Sequence, residues 1–278
     1  MSAALTFNST VRLSTGYYMP QLGLGVYQNY TTKESVLEAL KVGYRHIDSA
    51  QAYRNEAHVA EAVRESGIDR NEVFITTKVI SKFHGYDRTV KAIEASLDSM
   101  KFDYIDLFLI HDPHAGKVKR LETYKALLEA KAAGKIRSVG VSNYGIHHLE
   151  EIVEAGLETP SVNQIELHPF CQQRPIVEYC KKHDIVVQAY SPLIRSDLGH
   201  PVFKELAAKY GNRDPAQIVL RWSLQKGFVP LPKSANPDRI KSNTLLYDFA
   251  LSDEDMAKLD ALDKGKEGAV TWNCVDVP

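Results

Sequence analysis

The chain has little cysteine, almost no net charge and no long apolar run. Three cysteines, Cys171, Cys180 and Cys274, form no CxxC pair and leave one over, which speaks against a disulfide framework or a zinc site and for a reducing, cytoplasmic setting. Lys and Arg number 34 against 35 Asp and Glu, so no global field exists to hold nucleic acid or an anionic membrane, and any anion site has to be local. No run approaches the about 18 apolar residues of a membrane span, and Met1 to Leu13 lacks the basic flank and apolar stretch of a secretory leader. Also missing is the dinucleotide fingerprint GxGxxG, because Gly23 and Gly25 supply only GxG and Gln28 stands in the third glycine's place. A disulfide scaffold, a nucleic-acid binder, an integral membrane protein and an open dinucleotide-binding sheet are all excluded on these grounds.

What is present is ordinary globular material: 278 residues, 44% hydrophobic and 25% charged, enough to bury a large core. From Leu5 to Leu13 apolar and polar residues alternate around Asn8, Ser9 and Thr10, the pattern of a small β-hairpin. Beyond it, eight short apolar segments recur: Gly23 to Val26, Arg45 to Ile47, Val73 to Thr77, Ile105 to Ile110, Ile136 to Val141, Val162 to Leu167, Ile185 to Ala189 and Phe228 to Leu231. Helical spacing fills the intervals, as in Val90, Ile93, Leu97 and Met100, or Leu121, Tyr124, Leu127 and Leu128. Asp214-Pro215 with Gln217 reads as an N-cap, a proline at the first helical position and a capping box, and Gly227 stands where that helix should stop. Apolar strands alternating with helices, without linker-like stretches, predict a single domain over 1–278: an α/β fold, the (β/α)8 TIM barrel, with the hairpin at its N-terminus.

In such barrels the active site lies at the C-terminal ends of the strands, so the polar residue ending each strand is the place to look. Strand two ends in Asp48, three in Lys78, four in His111, five in Ser142 and Asn143, six in Gln164 and Glu166, seven in Tyr190 and Ser191, and eight in Lys233 and Ser234. Each has an ordinary reading taken singly: Lys78 as a solvated loop lysine, Asp48 as a helix cap, His111 as a hydrogen-bonded loop histidine, Tyr53 as an amphipathic rim residue. An acid, a base and an imidazole on successive strand ends nevertheless converge on one mouth. Pro230 to Arg239 passes from strand to Lys233-Ser234 and then to Asn236-Pro237 as N-cap and first helical residue. That is a phosphate site at a helix N-terminus, with Lys233 and Arg239 supplying charge; a solvated basic loop is the alternative.

The segment Gly43 to Glu56, Gly-Tyr-Arg-His-Ile-Asp-Ser-Ala-Gln-Ala-Tyr-Arg-Asn-Glu, resembles the first signature of the aldo-keto reductases. Ile75 to Lys78, Leu107 to Pro113, Gly140 to Tyr144, Asn163 to Pro169 and Pro232 to Arg239 match the family's later segments in order, so the resemblance runs from about Leu5 to Asp263. It implies a monomeric, small microbial or fungal type of reductase that uses NADPH on a small carbonyl substrate, with Asp48, Tyr53, Lys78 and His111 as the catalytic group. Tyr53 would donate the proton; Lys78, kept charged by Asp48, would favour the phenolate by lowering a phenol pKa that is ordinarily about 10; neutral His111 would donate to the substrate oxygen.

By the same resemblance, Gly25, Val26, Ser191, Leu193, Ser234 and Asn243 contact the cofactor, Tyr190 stacks on the nicotinamide, and Ser142, Asn143 and Gln164 hold its carboxamide. Lys233 and Arg239 would grip the 2′-phosphate, the guanidinium stacking on adenine, while Ser242 stands where many relatives have a glutamate at the adenosine end. The substrate cleft would be lined by Tyr27, Ile80, Asp112 and Trp272, less aromatic than in vertebrate aldose reductases. Asp112 either binds a substrate hydroxyl or caps its loop. Only fifteen residues follow Asp263, so the enclosing loop is short and the mouth open to bulky ketones or ketoesters. Two other classes stay open: a cofactor-binding regulatory subunit, disfavoured by the intact catalytic positions, and a Schiff-base aldolase using Lys78, disfavoured by its Asp48 and Tyr53 partners.

Overall fold

The structure is a computed structural model that describes residues 5–278; residues 1–4, the start of the Met1 to Leu13 stretch read for a secretory leader, lie outside the described residues. The chain opens on a hairpin, β1 (Thr10–Arg12) and β2 (Tyr18–Pro20), paired antiparallel with Val11 opposite Met19. It sits later than expected. Asn8 and Ser9 belong to a turn that precedes β1, where the Ser9 N–H donates to the Thr6 carbonyl, and the chain reverses between Leu13 and Tyr17. Gly16 takes φ +89° there, a conformation that Ser9 or Thr10 would adopt only under strain.

Eight parallel strands follow: β3 (Leu24–Gly25), β4 (His46–Asp48), β5 (Phe74–Val79), β6 (Ile105–Ile110), β7 (Ile136–Ser142), β8 (Val162–Glu166), β9 (Val186–Tyr190) and β10 (Val229–Pro230), each bonded to the next in chain order. The sheet curls until its edges meet, for the Gly23 and Gly25 N–H groups donate to the Pro230 and Pro232 carbonyls and Gly25 bridges Lys233. Closure leaves the eight-stranded sheet no open edge among the described residues. Helices α1 (Thr32–Val42), α2 (Glu56–Glu65), α3 (Tyr86–Met100), α4 (Lys117–Ala132), α5 (Ile146–Glu154), α6 (Arg174–Lys182), α7 (Pro201–Lys209), α8 (Pro215–Gln225), α9 (Pro237–Ser242) and α10 (Asp253–Asp260) complete the chain. Their stripes are those of the spacing: in α3, Ile93, Leu97 and Met100 are buried while Val90 stays at the rim. α8 begins as its capping box requires, with the Asp214 carboxylate accepting the Ala216 N–H at 2.8 Å and Gln217 Oε1 accepting the Asp214 N–H at 3.1 Å. Among the described residues, no helix is long and apolar enough to cross a membrane.

The hairpin plugs the end of the barrel where the strands begin. Leu13 and Met19 bury with Phe74, Leu107, Leu109, Val162 and Val229 in a cluster of their own, which identifies the inward face of the strands. Side chains alternate along a strand, so counting by twos leads from Phe74 to Thr76 and Lys78, from Leu107 through Leu109 to His111, and from Val162 to Gln164 and Glu166. Register does the rest, setting Asp48 beside Thr76 and Glu166 beside Tyr190. One inward face is thus apolar below and ionisable above, and the ionisable groups meet at the C-terminal mouth.

Candidate active site

Lys78 is fully buried, and an ammonium there is tolerable only if every N–H finds an acceptor. It does: Nζ donates to Asp48 Oδ1 at 2.5 Å, to the Ser49 carbonyl at 2.8 Å and to the Tyr53 phenolic oxygen at 3.4 Å. The other Asp48 oxygen accepts from Gln164 Nε2 at 2.8 Å, so the carboxylate is held from two strands. Tyr53 ends a single turn, Gln51–Tyr53, beyond β4. That turn is fixed by Asn55, whose Oδ1 accepts from the Ser49 hydroxyl and whose Nδ2 donates to the Val26 carbonyl at 2.9 Å.

His111 faces Tyr53 edge-on with ring centroids 5.6 Å apart, and its Nδ1 is buried without a partner among the described residues. Burial, then the nearby Lys78 charge, then His84 push its pKa well below 6.5, so the imidazole is neutral. Burial also lowers Lys78 from 10.5, with Asp48 opposing. The expected net lowering of the phenol is corrected: burial first and the Asp48 charge second push Tyr53 well above 10. An amine already engaged in three hydrogen bonds is not presented as a free nucleophile, which speaks against the Schiff-base alternative.

The residues expected at the cofactor divide into spent and open groups. Gly25 and Val26 have used their N–H groups in barrel closure and on the Asp48 carbonyl. Ser142 donates to the Gln164 carbonyl, while Asn143, at φ +61°, donates to the His111 carbonyl and to Ser142 and accepts from the Tyr190 hydroxyl at 2.8 Å. Gln164 gives both amide hydrogens to Asp48 and Gln188, but its Oε1 accepts no hydrogen bond among the described residues. Gln188, two residues before Tyr190 and so on the same inward face by alternation, is a further member of the site that the strand ends do not reveal.

Beyond Tyr190 the backbone is strained: Ser191, Ile194, Arg195 and Ser196 all have positive φ, the conformation that clusters at ligand loops, with half-buried Leu193 among them. Asn236 caps α9 by accepting the Arg239 N–H at 3.1 Å, so that N–H is not free for a phosphate. Lys233 and Arg239 are exposed and, among the described residues, make no ion pair; Ser234 folds onto Asn236, Ser242 onto the Arg239 carbonyl, and the buried Asn243 amide has no partner there.

The walls of the mouth are Tyr27, whose ring lies 5.0 Å from Tyr53, and Trp272, 6.0 Å from His111. Half-buried Ile80 stands between β5 and a short turn. Asp112 is buried, one oxygen accepting from the Ser81 N–H and the other from the His114 N–H, both at 3.1 Å, which is the capping contact of the two alternatives. A cavity of about 300 Å³ at the hairpin end, lined by Phe7, Tyr17, Arg45 and Arg137 among others, lies far from this chemistry.

The profile of the Aldo/keto reductase family matches residues 12–199 and 195–264. Over 264 residues the chain is 45% identical to the glyoxal reductase of Bacillus subtilis, 93% of this chain and 94% of the relative. Over 263 residues it is 44% identical to the 9,11-endoperoxide prostaglandin H2 reductase of Trypanosoma cruzi, 92% of each. An aldo-keto reductase of Bombyx mori, solved in complex with NADP, superposes with a TM-score of 0.86 at 33% identity, over 94% of each chain.

Proposed function

Since this chain belongs to the aldo/keto reductase family, we propose that it reduces the carbonyl group of aldehydes, ketones or ketoesters with NADPH, using Tyr53 as the proton donor. The observation that carries this reading is the Lys78–Tyr53 contact: because the phenolic oxygen accepts from the ammonium, the phenol's own hydrogen is left to donate outward. NADPH supplies the hydride. Tyr53, protonated through the neutral range, hands its proton to the oxygen as charge builds there, and Lys78 stabilises the phenolate that forms. Lys78 therefore acts on the product of the proton transfer more than on the resting phenol. Neutral His111 donates to the same oxygen and fixes which face of the carbonyl is presented.

The residues present fit the dinucleotide. The open Gln164 Oε1 can accept a carboxamide N–H, the Tyr190 ring can cover the nicotinamide, and the open Asn243 amide suits an adenine edge. With the α9 N-terminus partly capped, recognition of a 2′-phosphate falls to Lys233, Ser234 and Arg239. Arg239→Ala should raise the KM for NADPH by about 10- to 100-fold, the worth of a charge-assisted bond to phosphate, and raise the KM for NADH far less, by the lost stacking on adenine alone. Steady-state kinetics with both cofactors checks this, and equal kcat/KM for the two in the wild type defeats the NADPH preference. Relatives named for glyoxal and for a prostaglandin endoperoxide differ widely in substrate size, so the mouth rather than kinship sets the substrate.

The decisive assay follows NADPH absorbance across a panel of aldehydes, ketones and ketoesters. Turnover with several members is expected. Quenching of tryptophan fluorescence by NADPH without consumption of it identifies a binding subunit instead and refutes the proposal.

A further inference from the structure

Glu166 is a carboxylate at the mouth that proton transfer does not use. It ends β8 with its side chain fully buried, and it accepts from His168 Nε2 at 2.9 Å, from the Val270 N–H at 2.5 Å, from the Thr271 N–H at 3.1 Å and from the Thr271 hydroxyl. Burial alone would raise its pKa, yet the His168, Thr271 and Val270 donors outweigh it and hold the group below the usual carboxylate range. Glu166 is therefore an anion at neutral pH. Three of its four donors come from the segment after α10 that crosses the mouth, and the residue after Thr271 is Trp272.

That segment is stitched on either side of the tryptophan. Before it, Gly268 lies so tightly on the Phe170 carbonyl that no Cβ fits; after it, the Val275 carbonyl fills the space a side chain on Gly145 would need, and the Val277 carbonyl accepts from His148 Nε2 at 2.6 Å. Glu166 is the stitch beside the ring that faces His111 at 6.0 Å and His114 at 5.7 Å. We propose that Glu166 is a positioning residue that sets the register of Val270–Trp272 across the mouth, so that the Trp272 ring forms one wall of the carbonyl site and favours substrates wide enough to touch it. The selectivity half rests on the carbonyl-reductase reading; the register half does not.

Glu166→Gln keeps the shape but turns one acceptor into an NH2 donor that faces other donors. Of the two tryptophans, Trp222 is fully buried, so Trp272 alone is open to a neutral quencher. Acrylamide quenching of the free protein, with Trp272→Phe as the blank, should rise about twofold in Glu166→Gln as a ring that is 49% exposed is released to solvent. The KM for p-nitrobenzaldehyde should rise by about three- to tenfold while that for glyoxal stays within about twofold, since glyoxal is too small to reach the ring. Glu166→Asp keeps the charge and should recover part of both effects. Thr271→Ala removes a donor from the segment itself, should move both readouts the same way, and decides the matter if Glu166→Gln does not fold. Wild-type quenching in either folded variant overturns the proposal, and raised quenching with an unchanged KM ratio overturns its selectivity half. If the wild-type chain reduces no carbonyl compound, the quenching comparison still decides the register.

Discussion

Tyr53→Phe is expected to lower kcat for carbonyl reduction by about 10²-fold or more while leaving the affinity for NADPH within about twofold. The substitution removes one hydroxyl and little else. The ring keeps its packing between Tyr27 and His111, and Lys78 keeps Asp48 and the Ser49 carbonyl as acceptors, losing only its 3.4 Å contact. A net hydrogen-bond loss of about 1 kcal/mol does not threaten the fold. What disappears is the proton that the half-buried phenol directs outward, and a hundredfold loss corresponds to about 2.7 kcal/mol of transition-state stabilisation. Single-turnover kinetics alongside a fluorescence titration with NADPH separates the two quantities. Retention of a tenth or more of the wild-type rate would mean that another group at the mouth, Lys78 or His111, delivers the proton.

Much of this site is written in strand periodicity. Asp48, Lys78, His111 and Gln164 share one parity with the apolar residues that fill the barrel below them, so a reader who finds the strands finds the mouth. The hairpin was less legible because Asn8-Ser9-Thr10 and Ser14-Thr15-Gly16 both have turn composition, and only the glycine's access to positive φ separates them. Asp112 stays ambiguous in the sequence for a different reason: adjacency to His111 along the chain does not say which groups its carboxylate will meet, and these turn out to be the Ser81 and His114 N–H groups. The Glu166 clamp joins residues 104 and 105 positions apart, a pairing no local pattern encodes. Nor does composition reveal the direction of the Tyr53 shift, which depends first on burial of the phenol and then on the nearby Asp48 charge.

Two glycines test the stitching around the mouth on stability alone. Gly268→Ala puts a methyl group against the Phe170 carbonyl, a backbone atom that cannot swing aside as a side chain would. An overpacking cost of about 1–3 kcal/mol is expected, read as a fall in Tm of several degrees by circular dichroism. An unchanged Tm would mean that the segment is free to lift from Phe170, and the strap would then have no fixed anchor on that side. Gly145→Ala meets the Val275 carbonyl and should behave alike.

Lys78→Met should cost about 10²- to 10⁴-fold in kcat/KM and should also move the alkaline limb of the pH–rate profile upward. On the proposed mechanism, reduction requires a protonated Tyr53 and a charged Lys78. In the folded chain the lysine lies below its ordinary 10.5 and the phenol well above 10, so as pH rises the amine is the first to lose its proton, and the wild-type rate falls with it. The two groups are in contact, so the limb belongs to the pair, but its onset is set by the member that titrates first. With methionine the ammonium is gone at every pH, the residual activity depends on the phenol alone, and the phenol's pKa rises further for want of a nearby cation. Stability should fall as well. Removing one partner of a buried pair leaves the Asp48 carboxylate with Gln164 Nε2 at 2.8 Å but no counter-charge, at a cost of about 3–5 kcal/mol. Melting curves gauge that loss independently of turnover. A folded variant whose alkaline limb coincides with that of the wild type would show that the ammonium takes no part in the proton transfer, and the pairing of phenol with amine would lose its mechanistic meaning.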